Sequence, residues 1–457
     1  MILTLIRKEI VSHVLSLRFL VVFILVMLLV FAAFFFSGSQ YRRQRDLHVA
    51  LKREYDQRLD KLIAEQEGWD LHRQLFWSDG RSQVVYVPEL SSLAVGLAPL
   101  YPAGLTVTAS DFRSESRAEY RNPLLGLFQT LDIVYAVQVL VSLMAMLLVF
   151  DMVCGEKETG TLRLMLSYPV PRYEVLISKW LGGLCILFIP LLIAAFGGVV
   201  YLWGVGLLSF EPQTITRLVM IGVVAGLYVS AFFTVGLFFS TVTHRSATAL
   251  LLSLTVWVAM TLVIPNLASV VAKVIAPTPT HEKIASEKVA IDKEIDLRIE
   301  RLQLLTGSLS YGESTQRDRE KLEQEGELRK RKWDSYYQQA VKRQIGWAQG
   351  LGRCSPAAAW VYAATELTGT GLQDYLKFKE ARQRMQKQMS EVARRSMDAL
   401  RRDEVFDLQQ ELPVLNQSKS DISISLDAAL NDILVLIILN VLFFMSSFAA
   451  FLRYDVK

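Results

Sequence analysis

The residue types that could do chemistry are most densely combined between residues 151 and 172, which lie between two long uncharged stretches. Glu156 and Glu158 precede residues 161–167, which can form a short helix. The helix dipole stabilises carboxylates near a helix N-terminus, so these side chains favour a helix start here. The chemistry that this pattern indicates is recognition by charge and shape.

The short helix has an apolar face formed by Leu162, Met165 and Leu166, and Gly160 and Pro169 stop it at either end. A short helix with one apolar face is typical of an element that inserts into a groove on a partner. The alternative is an interfacial loop that only reverses the chain.

No arrangement for catalysis is found in the sequence. There is no G-x-x-x-x-G-K-[ST] motif and no Gly-Lys pair, so the chain lacks the phosphate-binding loop of P-loop ATPases. His48, His72 and His281 have no acidic or nucleophilic neighbour at motif spacing, and no Cys-x-x-Cys pair predicts zinc. We therefore expect no enzymatic activity, no metal and no cofactor in this chain, so energy for any work must come from another subunit.

Composition places these residues in a membrane protein. Apolar residues make up 52% of the 457 residues, and the mean hydropathy is +0.30. The 49 basic and 45 acidic residues are concentrated in some stretches and missing from others, which excludes an ordinary soluble enzyme and a disordered chain. A net charge of +4 gives no general attraction to nucleic acid.

Six uncharged runs are long enough to cross about 30 Å of hydrocarbon. We assign the spans to residues 18–37, 131–150, 180–203, 218–242, 247–272 and 431–452. None of the uncharged runs contains an ionisable side chain, and Pro265 is expected to distort the fifth span. The short flanks with the N-terminus inside carry ten Lys or Arg, against Arg217 alone in the short outer loop, which predicts both termini in the cytosol.

Residues 1–17 form a predicted amphipathic helix in the inner interface, or alternatively an extension of the first span. Residues 151–179 and the tail, 453–457, are then cytosolic, and residues 38–130 and 277–430 are two extracytoplasmic inserts. The first insert opens with a charged helix and has a short strand or an extended edge near residues 84–87.

The second insert, 277–430, is predicted to contain three long amphipathic helices, at about 284–305, 316–344 and 372–410. Trp347, Trp360 and Tyr362 between the last two indicate a buried core hairpin or, alternatively, a patch that dips to the membrane surface. Cys354 is expected to be a small buried hydrophobe.

Residues 151–179 resemble the cytosolic loop of ABC-2 family permeases, which belong to ATP-binding-cassette transporters. In that family an acidic turn, a Gly-Thr pair and a Leu-rich short helix precede a Ser-x-Pro-Val-x-Arg stretch and a Lys before the third span. The matching positions are Glu156, Glu158, Gly160, Thr161, Leu162, Leu164, Pro169, Arg172 and Lys179. The large insert after the first span, with residues 88–97, resembles the subgroup of permeases of copper-enzyme maturation and gliding motility systems. The resemblance covers the membrane framework and departs from the family at 277–430.

The resemblance implies a mainly α, six-helix ABC-2 permease of the bacterial inner membrane with two extracytoplasmic inserts, in which residues 1–17 are the elbow helix. A separate cytosolic ATPase would bind ATP and dock on residues 156–172 of the cytosolic loop, with roles assigned residue by residue. Glu156 and Glu158 would make acidic contacts, Thr161 would start the helix, Leu162 would enter the groove and Arg172 would be a basic anchor.

The expected partners are the cytosolic ATPase, a second permease copy or a sister permease, membrane lipid and an extracytoplasmic partner, but no nucleic acid. The function implied is coupling of ATP hydrolysis to export or to mechanical transmission across the membrane. The alternative is a structural or signalling membrane protein whose outer helices bind an envelope partner without transport. An ion-coupled carrier is disfavoured because no uncharged run holds a buried carboxylate.

Overall fold

The computed structural model describes residues 2–109, 112–114, 132–306, 313–402, 404, 406–417 and 421–453. Within these residues the chain is mainly helical, and its strands form one three-stranded sheet. The predicted mainly α fold is confirmed. Residues 110–111 and 115–130 of the first predicted insert, residue 131 of the predicted second span and residues 454–457 of the predicted tail lie outside the described residues.

Six helical stretches in the described part of the chain are long and apolar enough to cross a membrane. They are Phe19–Glu65, Ile133–Glu158, Arg172–Gly204, Pro212–Val242, Ser246–Ile275 and Ile422–Leu452. The predicted spans fall on these stretches one by one, which confirms their number. Such runs are helical because an α-helix satisfies its own backbone hydrogen bonds where water is absent.

Two helices cover residues 2–65: α1, Ile2–Val14, and α2, Leu17–Glu65. The Ser16 hydroxyl accepts a hydrogen bond of 3.2 Å from the Phe19 backbone N–H, which caps the start of α2. α1 is therefore a separate helix, and the alternative of an extension of the first span is wrong. α2 is continuous over 49 residues, so the first apolar span and the charged stretch after it are one helix.

A small antiparallel sheet follows α2. After helix α3, Gly68–Arg73, its strands are β1 (Arg81–Val84), β2 (Gly104–Val107) and β3 (Phe112–Ser114), in that order. The strand predicted at 84–87 is thus displaced, because only Val84 is paired, opposite Gly104. Gly104 lets α2 approach the sheet, since a Cβ there would lie 2.1 Å from the Tyr55 hydroxyl.

The remaining helices complete the described chain. In chain order they are α4 (Ile133–Tyr135), α5 (Ser142–Val149), α6 (Cys154–Glu158), α7 (Thr161–Leu166), α8 (Arg172–Gly204), α9 (Pro212–Val242), α10 (Ser246–Val258), α11 (Ile264–Ile275), α12 (His281–Thr306), α13 (Glu313–Gly352), α14 (Pro356–Thr368), α15 (Leu372–Arg402), α16 (Leu408–Glu411) and α17 (Ile422–Leu452). A π-helical segment, Ala136–Val141, joins α4 to α5. Another, Ala259–Val263, leads from α10 towards Pro265, where the sequence predicts a distortion.

The chain divides into two compact units, and α9 is central to the unit formed by residues 1–264 and 353–457. α9 packs on α5, α14 and α17, while α8 packs on α1 and α2. Between Tyr228 and Leu237 every residue of α9 is buried. This continuous burial is typical of a helix enclosed by other helices on all faces.

α14 is buried along its whole length. The Trp360 indole N–H donates to the Val134 carbonyl at 3.0 Å, and its ring stacks on Tyr228 with centroids 5.8 Å apart. Trp360 and Tyr362 are buried, as the core interpretation predicts. The expectation for Cys354 is wrong, because its side chain is exposed.

α15 carries the apolar stripe predicted for the third amphipathic helix. Phe378, Met385, Met389 and Val392 are all buried. The helix ends at Arg402 and not near residue 410, where the separate short helix α16 lies.

Residues 265–352 form the second compact unit, which contains the other two predicted amphipathic helices as α12 and α13. The two helices pack on each other, and Ile284, Ile291 and Ile295 are buried. Ion pairs such as Lys288–Asp334, at 2.7 Å, link their surfaces. Trp347 in this unit is half exposed.

Candidate functional site

The segment predicted to contact a partner, residues 151–172, contains the two short helices α6 and α7 and is called here the α6–α7 segment. The helix predicted at 161–167 is confirmed as α7. Gly160 separates the two helices with a φ of 74°, a left-handed conformation that a residue with a side chain adopts only with strain. The Thr161 hydroxyl lies 2.9 Å from the Thr159 hydroxyl at the helix start.

Glu156 in α6 is bound within this chain. The Lys179 ammonium of α8 lies 2.7 Å from Glu156 Oε1 and 3.3 Å from Oε1 of Glu9 in α1. The Lys179 side chain is only 1% exposed. Glu156, predicted to make an acidic contact with a partner, is thus engaged in an internal ion pair that joins three helices.

Glu158 and Lys157 bind the ends of two neighbouring helices. Glu158 accepts hydrogen bonds from the Ser246 backbone N–H at 2.9 Å and the Ser246 hydroxyl at 2.6 Å, at the start of α10. The Lys157 ammonium donates to the carbonyl of Thr241, and to that of Thr243 at 3.1 Å, at the end of α9. Each charge has the sign that the dipole of its helix end favours.

Arg172 makes the same kind of contact with the last apolar helix. Its Nη1 donates to the Leu452 carbonyl at 3.0 Å, where α17 ends. The basic anchor predicted at Arg172 therefore binds the chain itself. Sequence analysis missed the role of Lys157, because the carbonyls of Thr241 and Thr243 that it binds lie more than 80 residues further along the chain.

The position of Leu162 differs from the prediction that it contacts a partner. Its side chain is fully buried in the chain, so it is not available to enter a partner's groove. Leu164 and Tyr168 are 65% and 63% exposed. The exposed face of α7 and of the turn that follows it consists of Thr161, Arg163, Leu164, Ser167, Tyr168 and Pro169.

The α6–α7 segment thus has two sides with different chemistry. Its inner side carries the charges that bind helix ends and the buried Leu162, and its outer side presents exposed apolar groups. The contacts are those of mechanical attachment, because charged side chains hold backbone carbonyls and amides.

A second charge cluster lies beside the buried helix α14. Arg353 donates through Nε and Nη2 to both carboxylate oxygens of Asp432 in α17, at 2.7 and 3.2 Å. Asp432 is 1% exposed and directly precedes the last uncharged run, which begins at residue 433. The planar fork of arginine suits such a two-point contact with a carboxylate.

Glu366 ends this cluster at the junction of α14 and α15. Its Oε1 accepts hydrogen bonds from the backbone N–H groups of Leu372, at 2.9 Å, and Gln373, at 3.2 Å. Gly371 makes room for the carboxyl group, since a Cβ there would lie 2.5 Å from Glu366 Cδ. Burial raises the pKa of Glu366 to about 7, against the opposing hydrogen bond from Gln373.

The comparisons with known proteins agree with this architecture. The family model described as ABC-2 family transporter protein matches residues 3–456. The probable ABC transporter permease protein NosY of Pseudomonas aeruginosa is 46% identical over 54 residues, which are 12% of this chain and 20% of that relative. The protein of the same name from Stutzerimonas stutzeri is 44% identical over 54 residues, with the same coverage.

The chain therefore matches only a fifth of the length of these two relatives, whereas the family model extends over nearly all of it. The helical architecture and the six apolar helices fit a permease that crosses the membrane several times. The chain belongs to the ABC-2 family of transporter proteins.

Proposed function

We propose that this permease couples ATP hydrolysis by a separate cytosolic ATPase to export, or to mechanical transmission, across the bacterial inner membrane. The observation that carries the proposal is the two-sided α6–α7 segment. It attaches to the ends of α9, α10 and α17 and presents Leu164 and Tyr168 to solvent. Force applied to the exposed face reaches three apolar helices through direct contacts.

The proposed contact face for the ATPase is formed by the exposed Leu164 and Tyr168, with Thr161, Arg163 and Pro169 around them. An exposed apolar patch rimmed by polar groups is typical of a protein interaction site. In this proposal Glu156, Glu158 and Arg172 do not contact the ATPase. They fix the segment to the apolar helices. In this proposal the cytosolic ATPase binds ATP, and the permease itself binds no cofactor.

The orientation of the proposal follows the positive-inside rule. The α6–α7 segment and both termini are cytosolic, and residues 38–130 and 277–430 are extracytoplasmic. A second copy or a sister permease completes the transporter, with lipid around it. An envelope partner binds the extracytoplasmic inserts where the output is mechanical transmission.

The test of docking uses the tagged permease co-expressed with its ATPase. Tyr168→Asp places a charge on the exposed face, and we expect loss of ATPase retention with little change in thermal stability. Phe210→Asp is the matched control, because Phe210 is 48% exposed and lies between α8 and α9, at the other end of these helices. Equal retention of the ATPase by wild type and Tyr168→Asp would contradict the docking assignment.

The test of orientation uses thiol labelling. Cys354 is exposed, so an impermeant maleimide added to intact spheroplasts is expected to label it. A Tyr168→Cys variant with all three native cysteines, Cys154, Cys185 and Cys354, replaced is expected to react only after lysis. Labelling of that variant in intact spheroplasts would place the segment outside and reject the proposal, and it would favour the structural protein without transport.

A further inference from the structure

The buried ion-pair cluster of Glu9, Lys179 and Glu156 is not explained by attachment to helix ends. Glu9 belongs to α1, Glu156 to α6 and Lys179 to α8, so three helices meet at one ammonium group. Lys179 is 1% exposed and the Glu9 side chain 7% exposed. We refer to these three residues as the triad.

Burying the three charged groups of the triad costs desolvation free energy, so their presence in the interior needs an explanation. Two carboxylates face one buried ammonium, and the ammonium of Lys8, whose side chain is 55% exposed, lies 3.9 Å from Glu9 Oε1. Among the described atoms, the second oxygen of Glu156 is buried without a hydrogen-bond partner. Apolar residues of similar size are often as stabilising as a buried ion pair, so stability alone does not account for the triad.

Close packing around the triad makes its geometry stiff. A Cβ at Gly182, one turn after Lys179, would lie 3.1 Å from the Glu9 Cβ. A Cβ at Gly183 would lie 2.4 Å from the Phe233 ring of α9. These two glycines let α8 contact α1 and α9 closely, so a shift of Lys179 displaces both neighbours.

We propose that Lys179 is a positioning residue for coupling, which ties α1 to α6 so that α1 moves together with the α6–α7 segment. The inference rests on the proposed function and extends it, because it adds α1 to the elements that the ATPase displaces. Force on α7 passes through Gly160 to α6, from Glu156 to the Lys179 ammonium, and from there to Glu9 on α1.

The experiment uses the permease–ATPase complex in lipid nanodiscs. Lys179→Met removes the ammonium at similar length, and Lys8→Met is the matched control that removes an exposed cation near the same carboxylate. We expect Lys179→Met to retain the ATPase but to lower permease-stimulated hydrolysis about tenfold, the size of a typical coupling between sites. Lys8→Met is expected to keep the wild-type rate.

A neutral triad, with Glu9→Gln, Glu156→Gln and Lys179→Met together, separates positioning from stability. Removing all three charges leaves no buried carboxylate that has lost the Lys179 ammonium, so the melting temperature is expected to recover towards that of wild type. Stimulated hydrolysis is expected to stay low. Recovery of both quantities together would show a purely structural role and overturn the proposal.

A distance measurement tests the motion itself. Spin labels at Leu3, on the exposed surface of α1, and at Arg163 on α7 report the separation of the two helices after the native cysteines are replaced. In the wild-type complex we expect the distance to stay within about 2 Å when ATP is trapped, and in Lys179→Met to change by more than that. Equal behaviour of the two proteins would overturn the proposal, whereas a wild-type permease that binds no ATPase would reject the proposed function instead.

Discussion

The α6–α7 segment and the α14 region use charge in opposite ways. In the first, Glu158 and Arg172 hold the ends of helices at positions that water reaches. In the second, Asp432 is buried and paired at two points with Arg353, beside a helix that is buried along all 13 residues. Partly solvated contacts at helix ends can rearrange at low cost, whereas a buried pair is expensive to break.

This difference assigns different tasks to the two regions. Apart from the buried Glu156–Lys179 pair, the α6–α7 segment combines replaceable contacts at helix ends with an exposed face, which suits an element that is displaced by a partner. The α14 region combines a buried ion pair, a stacked Trp360 and a buried Glu366, which suits an element that keeps the helices together. Measured free energies of unfolding should therefore separate the two regions, and the following predictions test this order.

The largest effect is expected for Asp432→Ala. Removing one partner of a buried ion pair leaves Arg353 without its carboxylate, which costs about 3–5 kcal/mol of unfolding free energy. Asp427→Ala on the same helix is the control, since Asp427 is exposed. Denaturant unfolding in detergent micelles measures the free energy of unfolding of both variants. If Asp432→Ala loses no more unfolding free energy than Asp427→Ala, the two regions do not differ as described.

Trp360→Phe is expected to have an intermediate effect. Phenylalanine keeps an aromatic ring against Tyr228 but removes the indole N–H that the Val134 carbonyl accepts. A buried polar group left without its partner costs about 1–3 kcal/mol. The same unfolding assay applies, with Trp347→Phe as the control because Trp347 is half exposed.

Glu366 gives a pH-dependent prediction. Its pKa is about 7 in the folded protein against a usual value of 4.5, so the folded state binds the proton more tightly. The stability it contributes is fully present below a pH of about 4.5 and is lost as the pH rises through about 7. In melting temperatures measured from pH 4 to 8, Glu366→Gln is expected to flatten this decline and Glu391→Gln, an exposed control on α15, is not. A decline of equal slope in both variants would contradict the assignment.

Much of the fold follows from the sequence because the strongest signals are local. Runs without charge predict the six apolar helices, and Gly160 with Pro169 predicts α7 and its length. The strand was predicted a few residues too late in the sequence. The observed strand β1, Arg81–Val84, lacks the alternation of apolar and polar residues that predicts a strand.

The candidate site was harder to predict, because helical periodicity identifies a face without saying what covers it. Leu162 faces the chain and Leu164 faces solvent, although both are leucines in one short helix. The roles of Glu156, Lys157 and Arg172 depend on residues far along the chain, such as Lys179, Thr243 and Leu452. Spacing within one segment does not contain that information.

The smallest effect on stability is expected for Leu164→Ser on the exposed face of the α6–α7 segment. Its side chain is 65% exposed, so the substitution should change the unfolding free energy by no more than about 0.5 kcal/mol. Under the proposed docking, the same variant should weaken ATPase retention, because it removes an apolar contact from a small interface. Leu252→Ser, 39% exposed on α10, provides the control for a surface leucine outside that face. Equal retention of the ATPase by both variants would mean that the two regions differ in rigidity but that this face is not where the partner binds.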